Sequence, residues 1–204
     1  MIVPILYTKI DMVHPNTMTK KNYHFCAAYP GIRKLFYTDE TGAHIIYSNN
    51  RGCEDWRLKH IFDELNCPWW PQKVIFDCFI LDRDAFEAKS PREVLAAETI
   101  RKMTLPESKY KGDLIAVCID AYFPEEPEMI FSKRRKKLEK LFHGKTTPQN
   151  IFLAESLGVG EIQNGTVHQN WAVKIADGEE PTLLYQAMDA PYIQGKNREL
   201  YICA

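Results

Sequence analysis

Two apolar runs, Val74–Asp82 (VIFDCFILD) and Asp113–Tyr122 (DLIAVCIDAY), constrain the fold more than any other feature of the chain. Such runs, rich in β-branched and aromatic residues and bounded by breakers, read as buried strands. Cys78 and Cys118 inside them are then small core hydrophobes. Proline and glycine set the boundaries of the other elements. Cys67-Pro68-Trp69-Trp70-Pro71 separates a helix over Asp55–Leu65 from the strand at Val74, and Pro124 and Pro127 with Glu125, Glu126 and Glu128 make an acidic loop. Residues 144–150 read as a second loop. Apolar and polar positions alternate at Leu35, Tyr37 and over His44–Tyr47, which predicts half-buried antiparallel strands. Ser90 as N-cap with Pro91 in the first turn predicts a helix over Pro91–Arg101. The order is three strands, then helix, strand, helix, strand, helix, then a mixed strand-rich tail. It suits an α+β domain built on antiparallel sheets with flanking helices.

With 204 residues, 45% apolar and 26% charged, the chain is large enough for one domain, residues 1–204, with its own core. A formal charge of -1 excludes a strongly basic nucleic-acid clamp, because phosphate neutralisation supplies most of such affinity. The dense basic run Lys133–Lys137 lies on an amphipathic helix whose inner face holds Leu138, Leu141 and Phe142, and reads as a solvated face. Six cysteines stand singly, with no zinc-type spacing, and no signal peptide or membrane-length apolar stretch is present. These features imply reduced thiols and a cytoplasmic location, with no metal site expected. His24, His44, His60, His143 and His168 show no spacing that suggests a triad or a ligand set.

The octapeptide Cys26-Ala27-Ala28-Tyr29-Pro30-Gly31-Ile32-Arg33 resembles the E-x-K-x-D-G-x-R motif of ATP-dependent DNA ligases, keeping only Gly31 and Arg33. The resemblance recurs in order along the chain. Pro4-Ile5-Leu6 is similar to the family's P-x-L-A opening; His44–Gly52 resembles the strand ending in S-R-N-G, with Asn49 at the Arg; Val74–Asp82 resembles V-I-L-D-G-E-L-V-L-D, with Phe79 at the Glu. Asp113–Tyr122 is similar to F-x-V-F-D-I-L, with Ile119 at the aromatic position and Asp120 at the acid, and Ser132–Phe142 to the helix x-x-R-R-x-x-L-E-x-L. Glu155–Gly160 and Trp171–Ile175 can be laid on E-G-L-V-V-K and W-V-K-I-K, the first without its final Lys at Gly160, the second with Lys174 retained.

This resemblance implies a ligase-type nucleotidyltransferase fold, of the kind found in bacteria and phage, without the OB-fold domain that a full ligase adds. In that family the motif Lys attacks the α-phosphorus of ATP and carries AMP as a phosphoramidate. The motif Asp and a nearby Arg hold the ribose, the Glu binds ribose or metal, an aromatic ring stacks on adenine, and later lysines neutralise phosphates. Here those positions are Ala28, Pro30, Asn49, Phe79, Ile119 and Gly160, leaving Arg33 and Lys174. Charge placed against developing phosphate charge is the core of such catalysis, so a chain that has lost these groups is expected to be a pseudoenzyme with a vestigial nucleotide pocket and no cofactor.

The expected function is therefore a catalytically inactive ligase-like domain acting as a binding or regulatory protein, with a protein partner favoured over weakly bound nucleic acid. Two alternatives remain open in the sequence. One is an active adenylyltransferase or nucleic-acid ligase with a displaced nucleophile, for which Lys34 and the thiol of Cys26 are the candidates. The other is a module that binds nicked or duplex DNA. Trp69 and Trp70, between two prolines, are either a cap on the core or a partner-docking surface.

Overall fold

The computed structural model describes residues 8–10, 23–27, 29–46, 52–53, 55–111, 114–144, 148–156, 183–192 and 200–203. They fall into two compact units, one holding residues 29–127 and 133–153 and the other residues 4–28, 128–132 and 154–204, with residues 1–3 grouped with the first. The strands are β1 (Thr8–Ile10), β2 (Tyr23–Ala27), β3 (Ile32–Asp39), β4 (Gly42–Ile46), β5 (Gly52–Cys53), β6 (Val74–Asp82), β7 (Leu114–Tyr122), β8 (Ile151–Leu153), β9 (Leu183–Ala187) and β10 (Leu200–Cys203). The helices are α1 (Lys59–Leu65), α2 (Arg83–Glu87), α3 (Arg92–Thr104) and α4 (Phe131–Phe142). This is an α+β architecture.

The first unit is built on a six-stranded sheet in the order β5-β4-β3-β6-β7-β8. The two apolar runs form its centre: every residue of β6 is buried, and so are all of β7 but Tyr122. One face of the sheet packs on helices. Phe36, Ile45, Phe76, Ile80 and Cys118 meet Leu58, Ile61, Phe62 and Leu65 around α1 and Leu138 and Phe142 of α4 in one apolar core. Each large side chain so buried contributes about 1.5–3 kcal/mol, so this layer outweighs the local propensities of its strands. The β3–β4 hairpin turns at Glu40-Thr41 and re-enters at Gly42, whose φ of 123° is open only to glycine. Asp39 caps that turn through the Thr41 backbone and hydroxyl, and the Thr41 hydrogen bond holds its carboxyl below the usual range.

The ends of the helices are fixed by side chains from the sheet and its loops. Asp55 accepts from the Arg57 amide before α1, and Asp82, the last residue of β6, accepts from the Ala85 amide and so starts α2. Helix α3 presents Leu95, Thr99 and Lys102 inward at helical spacing; Thr99 Oγ1 accepts from the Asp82 amide, and the Lys102 ammonium pairs with Asp82 and Asp84. Glu64 at the end of α1 accepts from the amides of Gln149 and Asn150 and from Asn150 Nδ2, which places β8 beside β7.

The second unit holds a four-stranded sheet ordered β1-β10-β9-β2. Its β2 and β9 run antiparallel from Tyr23 opposite Ala187 to Ala27 opposite Leu183. Within this unit the Phe131 and Ser132 amides, at the start of α4, donate to the carbonyls of Ala190 and Met188.

Three local expectations are corrected. Among the described residues each sheet carries one parallel pair, β7 with β8 and β1 with β10: β8 is added at the edge of its sheet after α4, and β10 lies between β1 and β9. Helix α2 was not anticipated, since five residues carry no readable period. Ser90 does not cap α3; Pro91 takes that place in an extended conformation with no side-chain bond, and the helix starts at Arg92. The adjacent tryptophans also part company. Trp70 is buried, edge-on to Phe76 and Phe142, whereas Trp69 is 49% exposed. Trp70→Ala is expected to cost about 3–5 kcal/mol, and Trp69→Ala within about 0.5 kcal/mol of zero, in urea unfolding.

Candidate functional site

Of the nine pocket residues expected from the sequence, Pro30, Gly31, Arg33, Phe79 and Ile119 are described, all in the first unit, while Ala28, Asn49, Gly160 and Lys174 lie outside the described residues. Pro30 and Gly31 lead into β3. A Cβ on Gly31 would stand 2.4 Å from the Ile80 carbonyl oxygen and 2.7 Å from a methyl of Leu81, so the chain can cross β6 here only as glycine. Arg33 follows at once. Its guanidinium makes a two-armed contact with the fully buried Asp77 carboxylate, Nε donating to Oδ1 at 2.7 Å and Nη2 to Oδ2.

Phe79 is the register partner of Arg33 and is 8% exposed. Its ring lies 6.5 Å from that of Tyr29; Tyr29 lies 6.1 Å from Phe86, and Phe86 6.4 Å from Phe152. Where the resembled motif has a carboxylate, this chain has one end of a row of four aromatic rings, all at spacings where tilted rings attract. A row of this kind offers a divalent ion no carboxylate, the Tyr29 phenol being its one oxygen-bearing side chain.

Ile119 is the extra residue of a β-bulge: Asp77 pairs with Asp120 and Cys78 with Cys118, leaving Ile119 unmatched and buried. The bulge brings two buried carboxylates, Asp77 and Asp120, opposite each other across β6 and β7. Each has its own arginine. Arg134 of α4 donates from Nε to Asp120 Oδ1 at 3.0 Å and from Nη2 to Oδ2 at 2.8 Å, and both side chains are essentially inaccessible. The sequence pattern identified Asp120 and Arg134 as matched positions but gave no signal that they meet, since fourteen residues and a loop part them.

Strand alternation places the candidate replacement nucleophile away from this cluster. Lys34 is the partner of Cys78 and shares a face with Ile32 and Phe36, the face packed on α1 and α4; Arg33, Asp77 and Phe79 belong to the other. Cys26 is buried at 2% exposure in β2. Burial pushes the Cys78 thiol well up, and its hydrogen bond with Cys118 adds to the shift. Sequence reasoning also missed that His24 has a partner: its Nε2 lies 2.8 Å from Ser156 Oγ, beside the Phe131 ring. Among the described residues no cluster of three or more His, Cys, Asp or Glu could hold a metal ion, and no helix is long and apolar enough to cross a membrane.

Asp120→Ala, which removes the buried carboxylate that Arg134 pairs with, is expected to cost about 3–5 kcal/mol, whereas Asp120→Leu combined with Arg134→Met is expected to recover most of that loss in urea unfolding. Iodoacetamide at neutral pH is expected to alkylate the half-buried Cys67 of the folded protein before Cys78 and Cys118, as read by peptide mass spectrometry.

No protein-family model matches the chain, and no curated protein matches it in sequence. Solved structures do match in fold. The ligase domain of LigD from Mycobacterium tuberculosis aligns with 98% of this chain at a TM-score of 0.66 and 16% identity, and a mycobacterial DNA ligase D complexed with ATP aligns with 99% at 0.65 and 14%. The ATP-dependent DNA ligase of bacteriophage T7, also in complex with ATP, aligns with 97% at 0.58 and 13%. The chain spans 58%, 60% and 67% of those proteins. It therefore has the α+β nucleotidyltransferase fold seen in the ligase domains of ATP-dependent DNA ligases.

Proposed function

We propose that this chain is a ligase-fold protein without covalent nucleotidyl transfer, acting as a binding or regulatory component for a protein partner. The observation that carries the reading is a division of labour within one octapeptide. Its two retained residues have structural work: Gly31 permits the close crossing of β6, and Arg33 neutralises buried Asp77. Both jobs exist without any nucleotide. The residues with chemical work are replaced, the nucleophile by Ala28 and the motif Asp by Pro30, with Phe79 in the aromatic row at the carboxylate position. The same holds for Asp120 and Arg134, which pair with each other in the interior. A scaffold maintained by such pairs keeps its shape when the chemistry is gone, which is why fold alone does not assign activity.

Lys34 as a displaced nucleophile is disfavoured by its place on the helix-packed face of β3, and arginine stays protonated and cannot substitute. A duplex-binding role is disfavoured by the formal charge of -1. Incubation with α-labelled ATP and magnesium, followed by denaturing electrophoresis, is expected to give no labelled protein band even at high protein concentration. A band that survives denaturation would overturn the reading, and peptide mapping of the AMP adduct would name the nucleophile.

A further inference from the structure

A groove of about 610 Å³ opens on the first unit beside Trp69, away from the Arg33–Asp77 cluster in the sequence and lined by other residues. Its apolar surface comes from Trp69, Phe123 and Leu141, with Pro68 and Pro71 flanking the tryptophan. Helix α4 forms one wall. The exposed side of that helix carries Lys133, Lys136, Lys137 and Lys140, which at 100° per residue fall in one stripe. Of these, Lys137 is committed: its ammonium pairs with Glu126 and lies 4.9 Å from the Phe123 ring centre. Lys140 and Lys73, both in the lining, have no carboxylate within ion-pair distance among the described residues.

We propose that this groove takes an acidic peptide segment of a protein partner, one apolar side chain seated on Trp69 and Phe123 and its carboxylates laid along the α4 lysines. The volume suits a few side chains. Trp69 is a half-exposed aromatic anchor that the core does not require, in contrast to buried Trp70, and exposed aromatics in apolar depressions are where interface energy concentrates. The lysine stripe supplies the sign of the partner, and its carboxylate complement steers encounter. A nucleic-acid strand fits less well. Its affinity would rest on many phosphate contacts, yet three lysines line the groove and one of them, Lys137, is already neutralised by Glu126; a peptide needs fewer ionic contacts because it also buries an apolar side chain on Trp69 and Phe123.

This inference names the chemistry of the partner in the reading above and rests on it, but the two fail separately, since an AMP adduct strikes the reading and leaves the groove untouched. The test is fluorescence anisotropy on the intact chain at low salt. The probes are a fluorescein-labelled peptide of sequence Glu-Asp-Glu-Leu-Phe-Asp-Glu-Glu and a labelled single-stranded oligonucleotide of matched charge. The peptide is expected to bind more tightly than the oligonucleotide, with Trp69→Ser and Lys140→Glu each weakening it by about tenfold and Lys111→Glu, outside the groove, leaving it unchanged. Lys140→Glu alters only an exposed side chain, so its result stands even if Trp69→Ser perturbs folding. Absence of peptide binding, or equal binding by Lys140→Glu and the unsubstituted chain, would overturn the proposal. Tighter binding of the oligonucleotide, lost in the same variants, would overturn it too and assign the groove to stacked bases.

Discussion

Two carboxylates that water cannot reach, Asp77 and Asp120, sit side by side in the central strand pair, and the first unit depends on their neutralisation. An uncompensated charge in that position would cost several kcal/mol, a large part of the margin by which a domain of this size stays folded. Arg33 reaches one from the neighbouring strand and Arg134 reaches the other from α4. The two ion pairs therefore dictate both the register of β3 against β6 and the seating of α4. Apolar packing supplies most of the stabilisation, but packing alone tolerates slippage that these pairs do not.

The apolar layers were legible in the sequence because burial on both faces leaves a continuous hydrophobic run. That is why β6, β7, α1 and α4 were anticipated close to their observed bounds. Less was legible where structure depends on partners distant in sequence. The bulge at Ile119 leaves no mark, since an apolar residue fits a buried strand whether or not it is paired. The short α2 depends on Asp82 acting as a cap at the end of a strand, and the parallel strand β8 on Glu64. Trp69 and Trp70 are indistinguishable in sequence, and only the packing of Phe76 and Phe142 decides which of them is core.

The candidate site was legible in outline and not in meaning. Alignment to a motif shows which residues differ; it does not show that Gly31 and Arg33 serve the scaffold, or that Phe79 belongs to a row of rings with Tyr29, Phe86 and Phe152. Those facts change how the departures are read. Once the retained residues have structural duties, their survival alone no longer speaks for nucleotide chemistry.

The sheet's outermost strand offers a different kind of consequence. Only three residues of β8 pair with β7, and the polypeptide leading into them is held by a latch of two side chains, Glu64 of α1 and Arg83 of α2, the latter donating to the Gln149 carbonyl and to Asn150 Oδ1. Were that latch to let go, the amides and carbonyls along Ala116–Cys118 would be bared as an open border, the kind of surface on which a second chain's strand can add. Glu64 and Arg83 thus keep that border covered, a duty quite separate from any ligand the protein binds.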